Sequence, residues 1–134
     1  MVTREDIEAF LDRLSADGAT HEELEPGLWV VKPGGAIDFD VVVTHNPPVV
    51  VMRVKVMGLP TEPTEAAALN RRLLELNATD LLHGAYGIEA DAIVLTEALE
   101  LAHLDFEEFL ASFESMTLSL TTHLPELAAF REAR

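Results

Sequence analysis

The chain has no cysteine. Disulfides, thiolate nucleophiles and thiolate metal ligands are therefore all ruled out, and with them a small cystine-stapled secreted fold. Basic residues are scarce as well, with nine Lys or Arg against 24 Asp or Glu and a formal net charge of -15. A field of that sign repels phosphate backbones and anionic headgroups, so nucleic acid and membrane surfaces are poor partners, whereas encounter with a basic polypeptide is favoured. No segment approaches the ~20 apolar residues that span a bilayer, and the opening MVTREDIEAF places acids where a signal peptide needs an apolar core. The expectation is a cytoplasmic protein.

Catalytic patterns are scarce too. The five histidines, His21, His45, His83, His103 and His123, show no H-E-x-x-H spacing and no close pairing, so solvated or capping roles are expected and no metal or other cofactor is implied. There is no G-x-S-x-G elbow and no P-loop, while Ser112, Ser115 and Ser119 fall within a helix and read as surface residues. The pairs Glu22 and Glu23, and Glu107 and Glu108, read as exposed acids without the pocket that separates two carboxyl pKa values. The expectation is a protein that is not an enzyme. One alternative rests on Asp38 and Asp40, which on one strand face could hold a hard cation if other oxygens converged, or serve a small-ligand-binding domain or an enzyme that uses these carboxylates.

What the chain does have is enough apolar residue for a core. With 134 residues, 49% hydrophobic and 25% charged, it fits one folded domain over residues 1–134 that buries about two-thirds of its unfolded surface. Thr3 caps a first helix with Ile7, Phe10, Leu11 and Leu14 on one face, Val2 and Ile7 as a staple, and Gly18 as a stop. HEELEPG reads as an exposed connection. Leu28 to Lys32, Ile37 to Val43 and Val49 to Met57 then form a three-stranded meander. In it Ile37, Phe39, Val41 and Val43 face the core opposite Asp38 and Asp40, and Met52, Val54 and Val56 lie opposite Arg53 and Lys55.

A second helix starts near Thr61 to Glu65, with an apolar stripe of Ala66, Leu69, Leu73 and Leu76. Leu74 falls off that stripe, which is either simple exposure or contact with another subunit. Leu81 to Ile88 and Ala92 to Thr96 read as two more strands. The last helix begins at a cap on Asp105, with Leu104 and Phe109 as a staple and Glu108 three residues in, and continues through the stripe Phe106, Phe109, Leu110, Phe113, Met116 and Leu120. Pro125 should interrupt or end it, leaving Leu127 to Arg134 as a last turn or a tail. The order α-β-β-β-α-β-β-α implies an α+β fold with one antiparallel sheet and helices mainly on one face. Trp29 and Val31 form one face of their strand, Leu28 and Val30 the other. Two-sided apolar character makes Trp29, Val31, Val49 and Val51 the candidate partner-binding residues, with cover by the chain's own loops as the plainer alternative.

The stretches LLELNA, GAYGIEADAIVLTEAL and LAHLDFEEFLASFESM resemble the type III secretion chaperone-like superfamily, which contains the CesT/Tir effector chaperones and the bacterial YbjN-like proteins. The shared pattern is a helix ending in Leu-Leu-x-x-Asn, a Gly-small-aromatic strand, an alternating apolar strand and a Leu-Asp start to a Phe-rich last helix. The resemblance implies a homodimer of α+β subunits that binds another polypeptide without chemistry. The off-stripe Leu74, together with Tyr86, is the candidate for the dimer contact. The effector chaperones often carry a Trp late in the last helix, where this chain reads SMTLSLTTHL. That departure, together with the VTREDIEAFLDRL start, tilts the expectation toward the YbjN-like branch, a regulatory or chaperone-like binder, with an effector chaperone as the alternative.

Overall fold

The computed structural model describes residues 1–35 and 38–132. Thr3 opens helix α1 (Arg4–Leu14) through a reciprocal cap. Its hydroxyl accepts the Asp6 amide at 3.2 Å, and the Asp6 carboxylate accepts the Thr3 amide at 2.9 Å. An Asp here accepts the N-cap amide that Glu or Gln accepts in the usual capping box. Ile7, Leu11 and Leu14 are buried, and Phe10 lies between Phe106 and Phe109 at centroid distances of 5.8 and 5.4 Å. The helix tightens into a 3-10 turn and stops at Gly18 in a left-handed conformation.

Four strands follow. β1 (Thr20–Glu25) turns at Pro26 and Gly27 into β2 (Leu28–Lys32), and β3 (Val41–Asn46) turns at Pro47 and Pro48 into β4 (Val49–Gly58). β1 corrects the reading of HEELEPG as a connection. It is almost wholly exposed, so its side chains need no apolar period. Its pairing with β2, from Thr20 opposite Lys32 to Glu25 opposite Leu28, is what makes it a strand.

β3 begins at Val41 rather than at residue 37. Val41 and Val43 are buried as predicted and Phe39 packs against the core, whereas the expected core position of Ile37 lies outside the described residues. Asp38 and Asp40 are in the loop before the strand, not on its outer face, and Asp40 accepts from Lys32 Nζ at 2.7 Å. In β4, Val50, Met52 and Val54 are buried and alternate with Val49, Val51, Arg53 and Lys55. A bulge between Lys55 and Met57 then puts Met57, not Val56, in the core.

The Glu62 carboxylate caps helix α2 (Pro63–Thr79), accepting the amides of Thr64 at 3.1 Å and Glu65 at 2.8 Å. Those bonds hold its carboxyl below the ordinary value. Leu69, Leu73 and Leu76 are its buried stripe. β5 (Ala85–Glu89) starts later than predicted, after a bend at Leu81 to Gly84, and pairs with β6 (Ala92–Glu100).

Helix α3 (Phe106–Glu132) begins where the cap was expected, with Asp105 Oδ1 accepting the Glu108 amide at 2.8 Å. It runs straight past Pro125, contrary to the predicted interruption. Proline forfeits one helical hydrogen bond there, and burial of Leu127 together with packing of Phe130 offsets the loss. At ~1.5 Å per residue the helix is long enough to lie across the whole sheet.

The six strands form one antiparallel sheet in the order β1-β2-β3-β4-β6-β5. The fold is α+β, with one more strand than the sequence reading. The helices cover the face that carries Trp29, Val31, Val43, Met52, Val54, Ile93 and Leu95, and Phe109, Phe113, Met116 and Leu120 of α3 complete that core.

One close approach locks the β2–β3 loop onto the end of α1. A Cβ on Gly34 would stand 2.7 Å from the Gly18 carbonyl oxygen, whereas one on Gly35 would meet nothing within 4 Å; both residues have positive φ, +88° and +72°. Gly35→Ala should cost about 1–2 kcal/mol for the left-handed backbone. Gly34→Ala should cost clearly more, as read from paired urea unfolding curves.

A candidate polypeptide-binding surface

The sheet face turned away from the helices is the first candidate. Register places Val30 opposite Val42, which faces Arg53, and Leu28 opposite Thr44, which faces Val51. Val49 and Val51 are half-buried on this face beside Arg53 and Lys55. Both lysines of the chain, Lys32 and Lys55, lie here, so the face is less acidic than the rest of the surface. Trp29 and Val31 belong to the other face, at 0% and 1% exposure. Strand alternation turns them under the helices, where they pack the core, so they take no part in the outer face.

The two edges of the sheet differ. On β5 the Tyr86 amide donates to Asn77 Oδ1 at 2.8 Å and the Tyr86 carbonyl accepts from Asn77 Nδ2 at 3.1 Å. One carboxamide from α2 thus occupies the outward donor and acceptor of Tyr86, one position of the edge that a neighbouring strand would use. At the opposite edge no strand pairs with the outer side of β1 among the described residues. β1 also carries Glu22, Glu23 and Glu25. Only Glu23 is drawn inward, where its carboxylate accepts the Gly27 amide at 2.9 Å and pairs with Arg4 at 3.0 Å; these contacts, the amide first, hold its carboxyl below the ordinary value.

Beside the closed edge, α2 and β5 enclose a groove of about 250 Å³ lined by Leu73, Leu74, Asn77, Tyr86 and Ile88. Leu74 is 67% exposed and Ile88 51%, an apolar pair on the rim. Tyr86 is buried. Its hydroxyl lies 2.7 Å from His123 Nδ1, and His123 Nε2 lies 3.2 Å from Asp80. Burial pushes the Tyr86 phenol well above its ordinary value, and the Thr79 hydroxyl and then His123 hold the Asp80 carboxyl below its own. His123 is only 5% exposed, so it is a core histidine rather than the solvated or capping residue expected.

Ser112 is likewise buried, not a surface residue, with its Oγ 3.2 Å from His83 Nδ1. Glu97 lies 3.3 Å from that same nitrogen. In a hydrolytic triad the hydroxyl and the acid address opposite nitrogens of the ring, so this cluster lacks the relay geometry. Near the β2–β3 loop, Asp38, Asp40, Lys55 and Leu124 line a cleft of about 520 Å³. Asp40 is engaged there by Lys32.

The CesT_Tir_1 family model matches residues 2–133, and the chain belongs to that family. The fold is that of the type III secretion chaperone-like superfamily. YbjN from E. coli superposes with a TM-score of 0.71 at 15% identity, over 96% of this chain and 93% of that one. The ExoU-SpcU heterodimeric complex from the type III secretion system of Pseudomonas aeruginosa gives 0.63 at 13% identity, over 89% and 95%. The HopA1-SchA chaperone-effector complex gives 0.60 at 9% identity, over 89% and 93%. At these identities the likeness is one of fold. No curated protein matches the chain by sequence.

The local pattern Leu-Leu-x-x-Asn ends in Asn77, but its partner lies nine residues on, so the edge-closing role was not readable from spacing alone. Asn77→Ala should cost roughly 1–3 kcal/mol, because two backbone groups at Tyr86 lose their partners. A urea midpoint unchanged within error would mean the amide closes nothing.

Proposed function

We propose that the chain is a non-enzymatic, chaperone-like module that holds a partner polypeptide while paired with a second copy of itself, residues 1–134 acting as one domain. The observation that carries this reading is the difference between the sheet edges. With β5 closed by Asn77, β1 is the edge left for an added strand, and its acids together with the net charge of -15 would steer a basic segment toward it. Val49 and Val51, on the outer sheet face, would extend the contact beyond the backbone.

The exposed pair Leu74 and Ile88 supports self-association through α2 and β5. Tyr86 would serve that contact from beneath, as a wall of the groove. The ExoU-SpcU and HopA1-SchA complexes agree with a fold used to hold a second polypeptide. Between the two branches of the superfamily, the greater overlap with YbjN favours a YbjN-like regulatory or chaperone-like protein of the cytoplasm over an effector chaperone. The cleft at Asp38 and Asp40 gives the small-ligand reading a location, but Lys32 already engages one of the two carboxylates.

Multi-angle light scattering is expected to find a dimer, and Leu74→Glu should weaken it by at least about tenfold, since a charge on a desolvated apolar anchor has no partner. A monomer at every accessible concentration would defeat the self-association.

A further inference from the structure

Trp29 is fully buried, yet its indole Nε1–H has no acceptor among the described residues. The Glu8 side chain is 42% exposed, but its Oε2 is shielded and has no hydrogen-bond donor among the described residues. Both side chains line one pocket of about 200 Å³ together with Arg4, Glu5 and Glu23. Glu23 is the register partner of Trp29, so the pocket lies on the helix side of the sheet, where α1 meets the β1 edge. Buried polar groups in folded proteins are nearly always paired, and a donor and an acceptor orphaned in the same wall call for one occupant that supplies both complements.

Charge narrows the occupant. Three carboxylates line the pocket against one guanidinium, and that guanidinium is engaged by Glu5 at 3.2 Å and Glu23 at 3.0 Å. Among the described residues Glu8 has only His21 as a basic neighbour, at 3.7 Å, and His21 lies closer to Asp12 at 3.3 Å. The donor brought to Glu8 should therefore be cationic. A lysine or arginine side chain supplies a cation but no acceptor for Trp29, and a carboxamide supplies both hydrogen-bonding groups but no charge. An α-ammonium with its own adjacent carbonyl supplies all three in one small group.

We infer that this pocket binds the amino terminus of a polypeptide, the α-ammonium donating to Glu8 and the first carbonyl oxygen accepting from Trp29 Nε1–H. This rests on the polypeptide-binding reading and deepens it, placing the start of the bound segment beside the open β1 edge. A free amino acid shares the ammonium, but its carboxylate would enter a pocket already rich in negative charge.

Trp29 is the single tryptophan, so its one indole N–H resonance and its fluorescence report the site without ambiguity. The full chain is titrated with tri-alanine amide, with its N-acetylated form, and with free alanine. The amide should shift the Trp29 resonance saturably, with the acetylated peptide and free alanine at least about tenfold weaker. Glu8→Gln, whose fold is checked by the rest of the amide spectrum, should weaken the amide to a similar degree. No shift with any probe, or equal shifts with free and acetylated peptides, would overturn the assignment. The probe needs neither a second copy nor strand pairing. A dimer that ignores it sinks only this inference, and a monomer that binds it sinks only the self-association.

Discussion

A six-stranded open sheet has two faces and two edges, and three helices cannot cover all four surfaces. In this protein most of the helical apolar area goes to a single face. α3 lays Phe109, Phe113, Met116 and Leu120 across it, α1 adds Ile7, Leu11 and Leu14, and α2 adds Leu69, Leu73 and Leu76. Everything that can meet a partner follows from that allocation. The second face keeps half-buried valines softened by lysines, one edge is closed by a single carboxamide, and the other edge remains open beside a layer of acids.

Closing β5 with Asn77 is an economical solution to the edge-strand problem, because one side chain satisfies both outward groups of Tyr86 at once. It leaves the chain directional. Leu74 and Ile88 sit on the clamped side, where Asn77 already holds the Tyr86 backbone, whereas on the β1 side the backbone itself is available. One molecule therefore offers two chemically distinct surfaces at opposite ends of the sheet.

Local signals explain what could be read from the residues. The caps at Thr3 and Asp105, the stripes of α1 and α3 and the alternation of β4 up to Lys55 depend on neighbours within one or two turns, and they stand where the spacing puts them. The misreadings share a cause. β1 has no apolar period because neither of its faces is buried, the bulge at Val56 shifts the alternation by one residue, and α3 continues past Pro125 because Leu127 is buried. All three are tertiary effects. For the surfaces, Leu74 was legible as a leucine off its stripe, whereas the side to which Trp29 turns was not, because both faces of β2 are apolar and only the docked helices distinguish them. The Asn77 clamp and the orphaned groups at Glu8 and Trp29 arise from residues distant in the chain, and no spacing announces them.

The central claim is that the two edges differ, one closed from within and one open. Native-state amide hydrogen exchange measures this directly. The account predicts that the Tyr86 amide, although on an edge strand, is protected about as well as interior strand amides. The β1 amides that point away from β2 should exchange freely. A Tyr86 amide that exchanges as fast as those of β1 would contradict it.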